Sequence, residues 1–99
     1  MTGAAFVYIM RDATGLHKIG ISNDPYVRRK VVECLIPAMR RPVKLVRAVE
    51  VRCGTERGLE MEIHGLLADN RVVGEWFSAS MRACNAAIDD VIIVHDVMG

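Results

Sequence analysis

The 99-residue sequence predicts a single α+β domain spanning 1–99, and three observations lead there. Residues 5–11 (AFVYIMR) and 17–22 (HKIGIS) are short runs rich in β-branched and aromatic residues, joined by a segment of turn composition. Asn23-Asp24-Pro25 then opens a stretch whose apolar residues recur at helical spacing. A further strand-like run over 43–51 precedes helix-like segments, with no repeat, linker or low-complexity stretch between them.

In the first run a period of two puts Phe6, Tyr8 and Met10 on one face and Val7 and Ile9 on the other. In the second, Lys18, Gly20 and Ser22 share a face opposite Ile19 and Ile21. With Asp12 to Thr14 as the loop, Tyr8 falls directly across from Lys18, a register that a one-residue slip would undo. An Asx cap and a first-turn proline start a helix that runs to about Ile36 and stops before Pro37. Thr55 caps a second helix over 56–69, and residues 74–77 (GEWF) form a short extended segment whose Trp76 and Phe77 anchor the core. Ser78 or Ser80 caps a last helix through Ala87, and the β-branched 91–94 either continues it or forms a strand.

With 52% hydrophobic and 25% charged residues, a chain of this size buries a modest core without metal or disulfide staples. No apolar run approaches the ~20 residues that span a bilayer. Residues 1–5 lack the basic stretch of a secretory signal, so a cytoplasmic protein with no membrane partner is expected. Cys34, Cys53 and Cys84 are widely spaced and form no CxxC pair, which disfavours a zinc cluster and fits free, buried thiols. The net charge of +1 hides an asymmetry: residues 26–52 carry eight basic side chains against two acidic ones, and residues 53–99 three against eight. A basic middle attracts phosphates, although such charges also serve as the solvated sides of a helix and a strand.

Two residues look misplaced. On a helical wheel Val31, Val32 and Leu35 all lie within about 60° of Arg28, so an arginine occupies the middle of an apolar stripe. Such an arginine either meets something anionic or runs its stem along the core with its head in water. Glu60 lies at the edge of a buried face defined by Leu59, Ile63 and Leu66, with Glu56 and His64 one turn either side. A carboxylate there suits a hard cation such as Mg²⁺, or a solvated Glu–His stripe.

Taken in order, the set VYIM–x6–HKIGIS–NDP–x2–RR … LE–x3–H … GEWF, covering most of residues 6–77, resembles the GIY-YIG endonuclease superfamily, in its short branch with a KIG second motif. The resemblance implies a small, mainly antiparallel three-stranded sheet flanked by helices. It makes Tyr8 the tyrosine of the first motif, Lys18-Ile19-Gly20 the second motif, Arg28 the catalytic arginine and Glu60 the metal-binding glutamate. His17 and His64 are extra candidate site residues, and Arg29, Arg40, Arg41 and Lys44 form a candidate nucleic-acid surface. Two departures stand out: Phe6 and Val7 replace the first motif's glycine, and neither Asn70 nor Asn85 matches the family's late asparagine.

The implied activity is hydrolysis of a nucleic-acid phosphodiester, with DNA preferred over RNA. Glu60 holds one Mg²⁺ or Mn²⁺, Arg28 stabilises the developing charge, and Tyr8 acts as general base, made more acidic by Lys18. A homodimer or a partner protein would supply specificity. The alternatives are a non-cleaving nucleic-acid-binding module on the same fold, and a small assembly protein that dimerises through the apolar 91–98 segment.

Overall fold

Strands β1 (Ala5–Arg11) and β2 (His17–Ser22) form an antiparallel hairpin. The structure is a computed structural model that describes the backbone over residues 3–98 and side chains over 3–92. The Asp12 carboxylate builds the turn, accepting the Thr14 hydroxyl at 2.7 Å and the N–H groups of Thr14 and Leu16 at 2.9 and 3.0 Å. Gly15 completes it at a φ of 95°, open to a residue without Cβ. The loop therefore covers residues 12–16, longer than expected, and the register pairs Tyr8 with Gly20 and Met10 with Lys18. Lys18 is thus a diagonal neighbour of Tyr8 rather than its direct partner. Because strand faces alternate with a period of two, both side chains keep the expected face.

Helix α1 (Pro25–Leu35) starts as the sequence dictates, with Asp24 Oδ1 accepting the Val27 N–H at 3.2 Å. Its buried line runs through Pro25, Val32 and the C-cap Ile36, while Val31 and Leu35 are 44% and 79% exposed. Of the stripe that contains Arg28, Val32 alone is buried, and Arg28 lies on the solvent-facing flank with Val31 and Leu35. Arg41 ties down the end of the helix, donating from Nε to the Glu33 carbonyl (2.9 Å) and from Nη2 to that of Ile36 (3.2 Å).

Strand β3 (Lys44–Val51) pairs with the other edge of β1, with a bulge opposite Ile9 and Met10. Helix α2 (Glu56–Leu66) ends earlier than expected and passes into a 3₁₀ turn over Ala68–Asn70. Thr55 is its N-cap residue, but the Thr55 hydroxyl donates to the Arg52 carbonyl, and the Glu56 carboxylate takes the Gly54 N–H instead. Strands β4 (Arg71–Val73) and β5 (Trp76–Phe77) then form a second hairpin, turned at Gly74 with φ 53°. Helix α3 (Met81–Met98) is capped by Ser80, whose hydroxyl accepts the Ala83 N–H, and residues 91–94 continue it.

The sheet is five-stranded and antiparallel throughout, in the order β3-β1-β2-β5-β4. This keeps the α+β class but overturns the three-stranded expectation. At three and two residues, β4 and β5 are too short for alternation to show, and β4 is exposed along its length. On one face Val7, Ile9, Ile19 and Phe77 pack against Leu59 and Ile63 of α2 and Cys84, Ala87 and Ile88 of α3. On the other, Tyr8, Met10, Val43 and Trp76 pack under Val32 and Ile36. Each of the large apolar side chains buried here contributes roughly 1.5–3 kcal/mol by leaving water. Leu67, not Leu66, completes the buried line of α2. Only Cys84 is a buried thiol; Cys34 and Cys53 are free and exposed. Among the described residues no helix is long and apolar enough to cross a membrane. The side chains of 93–98, on which dimerisation through 91–98 would depend, lie outside the described residues.

Candidate functional site

Strand β2 loses its outer neighbour half-way along. β5 pairs with His17 and Lys18, and beyond them the Ile19 N–H meets only the Glu75 carbonyl, at 3.1 Å. Around this half-open edge the fold gathers charged and polar side chains from β1, β2, α1, α2 and the β4–β5 turn.

Tyr8 is 2% exposed, and its ring lies across Gly20 on the neighbouring strand. A Cβ at position 20 would overlap the Tyr8 hydroxyl and Cζ, so glycine is required there by packing. Lys18, with a side chain 14% exposed, forms an ion pair with Glu75. Glu60 comes from α2, and its placement depends on His64 one turn later. The His64 Nε2–H donates to the Ile19 carbonyl at 2.8 Å, and its ring tilts against Phe77 with centroids 5.0 Å apart. That contact pins α2 against the edge of β2. Glu60 Oε2 is buried there with no hydrogen-bond partner. Arg28 is exposed, and no ion pair engages it among the described residues.

The electrostatics show that these groups sense one another. Burial pushes the Tyr8 phenol well above its ordinary range; the charges of Glu75 and Glu60 add to this and that of Arg28 opposes it. Lys18 does not make the phenol more acidic as expected, because its ammonium is taken up by Glu75. Glu60 is pushed up to about 7, first by burial, then by the charge of Glu75 and a hydrogen bond with it, against the pull of Lys18 and Arg57. A carboxyl that is driven toward protonation, with one oxygen unpartnered, fits a divalent cation: the ion supplies the missing partner and removes the repulsion. Among the described residues no three His, Cys, Asp or Glu side chains converge as a closed metal cage. A lone carboxylate of this kind would suit Mg²⁺ or Mn²⁺ completed by water and phosphate rather than zinc.

The other expected site residues are placed differently. His17 and His64 are both buried and hydrogen-bonded to backbone: His17 Nδ1–H donates to the Ala79 carbonyl at 2.8 Å, leaving its buried Nε2 unpartnered. Arg29 donates to Glu33 and to the Val43 carbonyl, Arg41 holds the end of α1, and Arg40 pairs with Asp12 at 2.6 Å over the Trp76 ring. Of the four candidate phosphate-binding cations, Lys44 alone is exposed without an intramolecular partner among the described residues. Asn70 and Asn85 serve the fold, bonding Ser78 and Arg47. Sequence reasoning missed Arg57 and Glu75. Only a turn at Gly74 brings Glu75 to β2, and a glycine followed by an aromatic pair was the available signal.

Fold and site together define a small α+β domain that presents a charged, half-open strand edge. The model of the T5orf172 domain matches residues 5–92, and the chain belongs to that family. T5orf172 is a nuclease-like, DNA-binding domain family, which is consistent with interaction of this chain with nucleic acid. The match corrects the resemblance to the GIY-YIG superfamily, none of whose family models fits the chain. The motifs behind that resemblance are short, and local packing accounts for part of them: Gly20 makes room for Tyr8, and Trp76-Phe77 fills the core. No curated protein and no solved structure matches the chain.

Proposed function

We propose that this domain is a metal-dependent endonuclease that hydrolyses DNA phosphodiester bonds. What supports the proposal most is Glu60 Oε2, buried and unpartnered, on a residue whose charge acts on Tyr8 as that of Arg28 does, and which itself feels the charge of Lys18. A Mg²⁺ or Mn²⁺ ion held by Glu60 would neutralise charge on the scissile phosphate and the leaving oxygen. Arg28, exposed and in no ion pair among the described residues, would hold a non-bridging phosphate oxygen and stabilise the charge that develops on it. The Tyr8 hydroxyl, kept protonated by its burial, would orient the attacking water by hydrogen bonding, and the proton that the water loses would pass to bulk solvent. Lys18 and Glu75 fix the charge balance on the other side of the edge.

A plasmid-nicking assay tests this. Wild-type protein should nick DNA with Mg²⁺ and not with EDTA, and Glu60→Gln and Arg28→Ala should each lose about 100-fold or more in rate with unchanged circular dichroism. Undiminished Mg²⁺-dependent nicking by either variant would overturn the assignment. One observation favours a second reading, a non-cleaving DNA-binding module: the buried Tyr8 phenol sits far from ionisation. Salt-sensitive DNA binding without nicking would identify that module.

A further inference from the structure

We propose that the last rung of the sheet is a docking strip for the phosphates of a DNA backbone, built on Arg11 and Lys44 and extended by Arg71. The inference rests on the reading that this chain meets DNA, and it is independent of metal binding and cleavage. All five strands end or begin at this rung, and the register lines its residues up as Lys44, Arg11, His17, Phe77 and Arg71. At ~4.8 Å between neighbouring strands the row is about 19 Å across. Residues paired in this way share a face, which alternation makes that of Val7 and Ile9. His17 and Phe77 are buried and form the floor, while Lys44, Arg11 and Arg71 are exposed.

Nothing in the fold calls for the Arg11–Lys44 pair. The two stand directly opposite each other on neighbouring strands, where Cβ atoms are about 5 Å apart and like charges repel. No carboxylate pairs with either of them, or with Arg71, among the described residues. By contrast Arg47, further along β3, is held by Asn85 and Asp89, and Arg40 by Asp12. A lysine on an edge strand such as β3 blunts unwanted pairing with another sheet. Arg11 lies on β1, inside the sheet, where no such guard is needed. At the other end of the row the Arg71 guanidinium is braced over the Phe77 ring, 5.8 Å from its centroid. A phosphate backbone relieves the repulsion, because each cation then meets an anion. The row matches about five steps of B-form DNA along one strand.

The test is binding of the full chain to a fluorescein-labelled duplex of about 20 base pairs, in EDTA, with salt raised from about 50 to about 200 mM. Arg11→Gln/Lys44→Gln should bind at least tenfold more weakly at low salt, and its slope of log affinity against log salt should fall by about 1.8. Arg71→Gln should lower the slope by about 0.9. The matched control Lys30→Gln/Arg52→Gln removes the same charge from exposed positions on α1 and just past the far end of β3. It should stay within about twofold of wild type. A control that loses as much as Arg11→Gln/Lys44→Gln would show that binding follows net charge alone, and would overturn the inference. The strip variant should also unfold at the same or a higher urea concentration than wild type, since a repulsion has gone. Unfolding at a lower concentration would show that the pair serves the fold, and would equally overturn it. DNA binding indifferent to Arg11 and Lys44 would overturn this inference alone. A wild type that binds no DNA, or binds phosphatidylserine vesicles in its place, would overturn it together with the reading that the chain meets DNA.

Discussion

Asp12 and Glu60 are carboxylates drawn into the same small domain, and their surroundings differ in every respect that matters. The Asp12 side chain is fully buried and accepts hydrogen bonds from two backbone N–H groups, the Thr14 hydroxyl and the Arg40 guanidinium. Burial pushes its carboxyl up, but those contacts outweigh burial and hold it below the usual range. Glu60 meets burial and a second carboxylate, with one oxygen unpartnered, and is pushed up to about 7. The satisfied carboxylate builds a turn; the unsatisfied one is the ligand of the cation in our proposal. The more deeply buried of the two is the satisfied one, so burial alone does not mark a site and hydrogen-bond satisfaction separates the two.

The largest expected effect of breaking this contrast lies on the satisfied side. Asp12→Ala removes the organiser of the β1–β2 turn and strands Arg40, itself mostly buried over Trp76, without its counter-ion. We expect a loss of about 3–5 kcal/mol in urea unfolding. A loss below about 1 kcal/mol would show that the turn forms without it. Gly20→Ala comes next: the added methyl collides with the Tyr8 ring, so about 1–3 kcal/mol should go as the ring is displaced. Nicking should fall with it, since the Tyr8 hydroxyl is moved from the site.

The smallest effects are the pH dependences, and they have opposite signs. The folded-state affinity of Asp12 for a proton is lowered, so its stabilisation is present above the unfolded-state value near 3.9 and is lost as the pH falls through the folded one. That of Glu60 is raised, so metal-free protein loses stability as the pH rises from the unfolded value near 4.3 to about 7, and none further above. Glu60→Gln should therefore stabilise metal-free protein at pH 8 by up to about 1 kcal/mol, since solvent screens this partly exposed group, and change little at pH 4. Destabilisation at pH 8 would show that the Glu60 charge is favourably partnered.

Much of the fold was legible because it follows from local chemistry. Asp24-Pro25 starts α1, alternation places Tyr8 and Lys18 on one face, and Ser80 caps α3. The register of the first hairpin was not legible, since it depends on the Asp12 side chain drawing Leu16 into the turn. A helical wheel orders the residues of α1 but does not say which flank meets the sheet, so Arg28 was placed correctly beside Val31 and Leu35 and their exposure was misjudged. The basic middle of the chain was visible as a count. That Arg29, Arg40, Arg41 and Arg47 are all engaged inside the fold, Arg47 by Asn85 and Asp89, follows only from tertiary structure. Glu75 escaped for the same reason, because a two-residue strand carries it to β2.

The central claim is that Glu60, and not Asp12, is a carboxylate held ready for a cation. A crystal soaked in Mn²⁺ and measured for anomalous scattering tests it most directly. The account predicts a peak at the Glu60 carboxylate, and none at Asp12. Anomalous signal elsewhere, with Glu60 bare at saturating Mn²⁺, would contradict it.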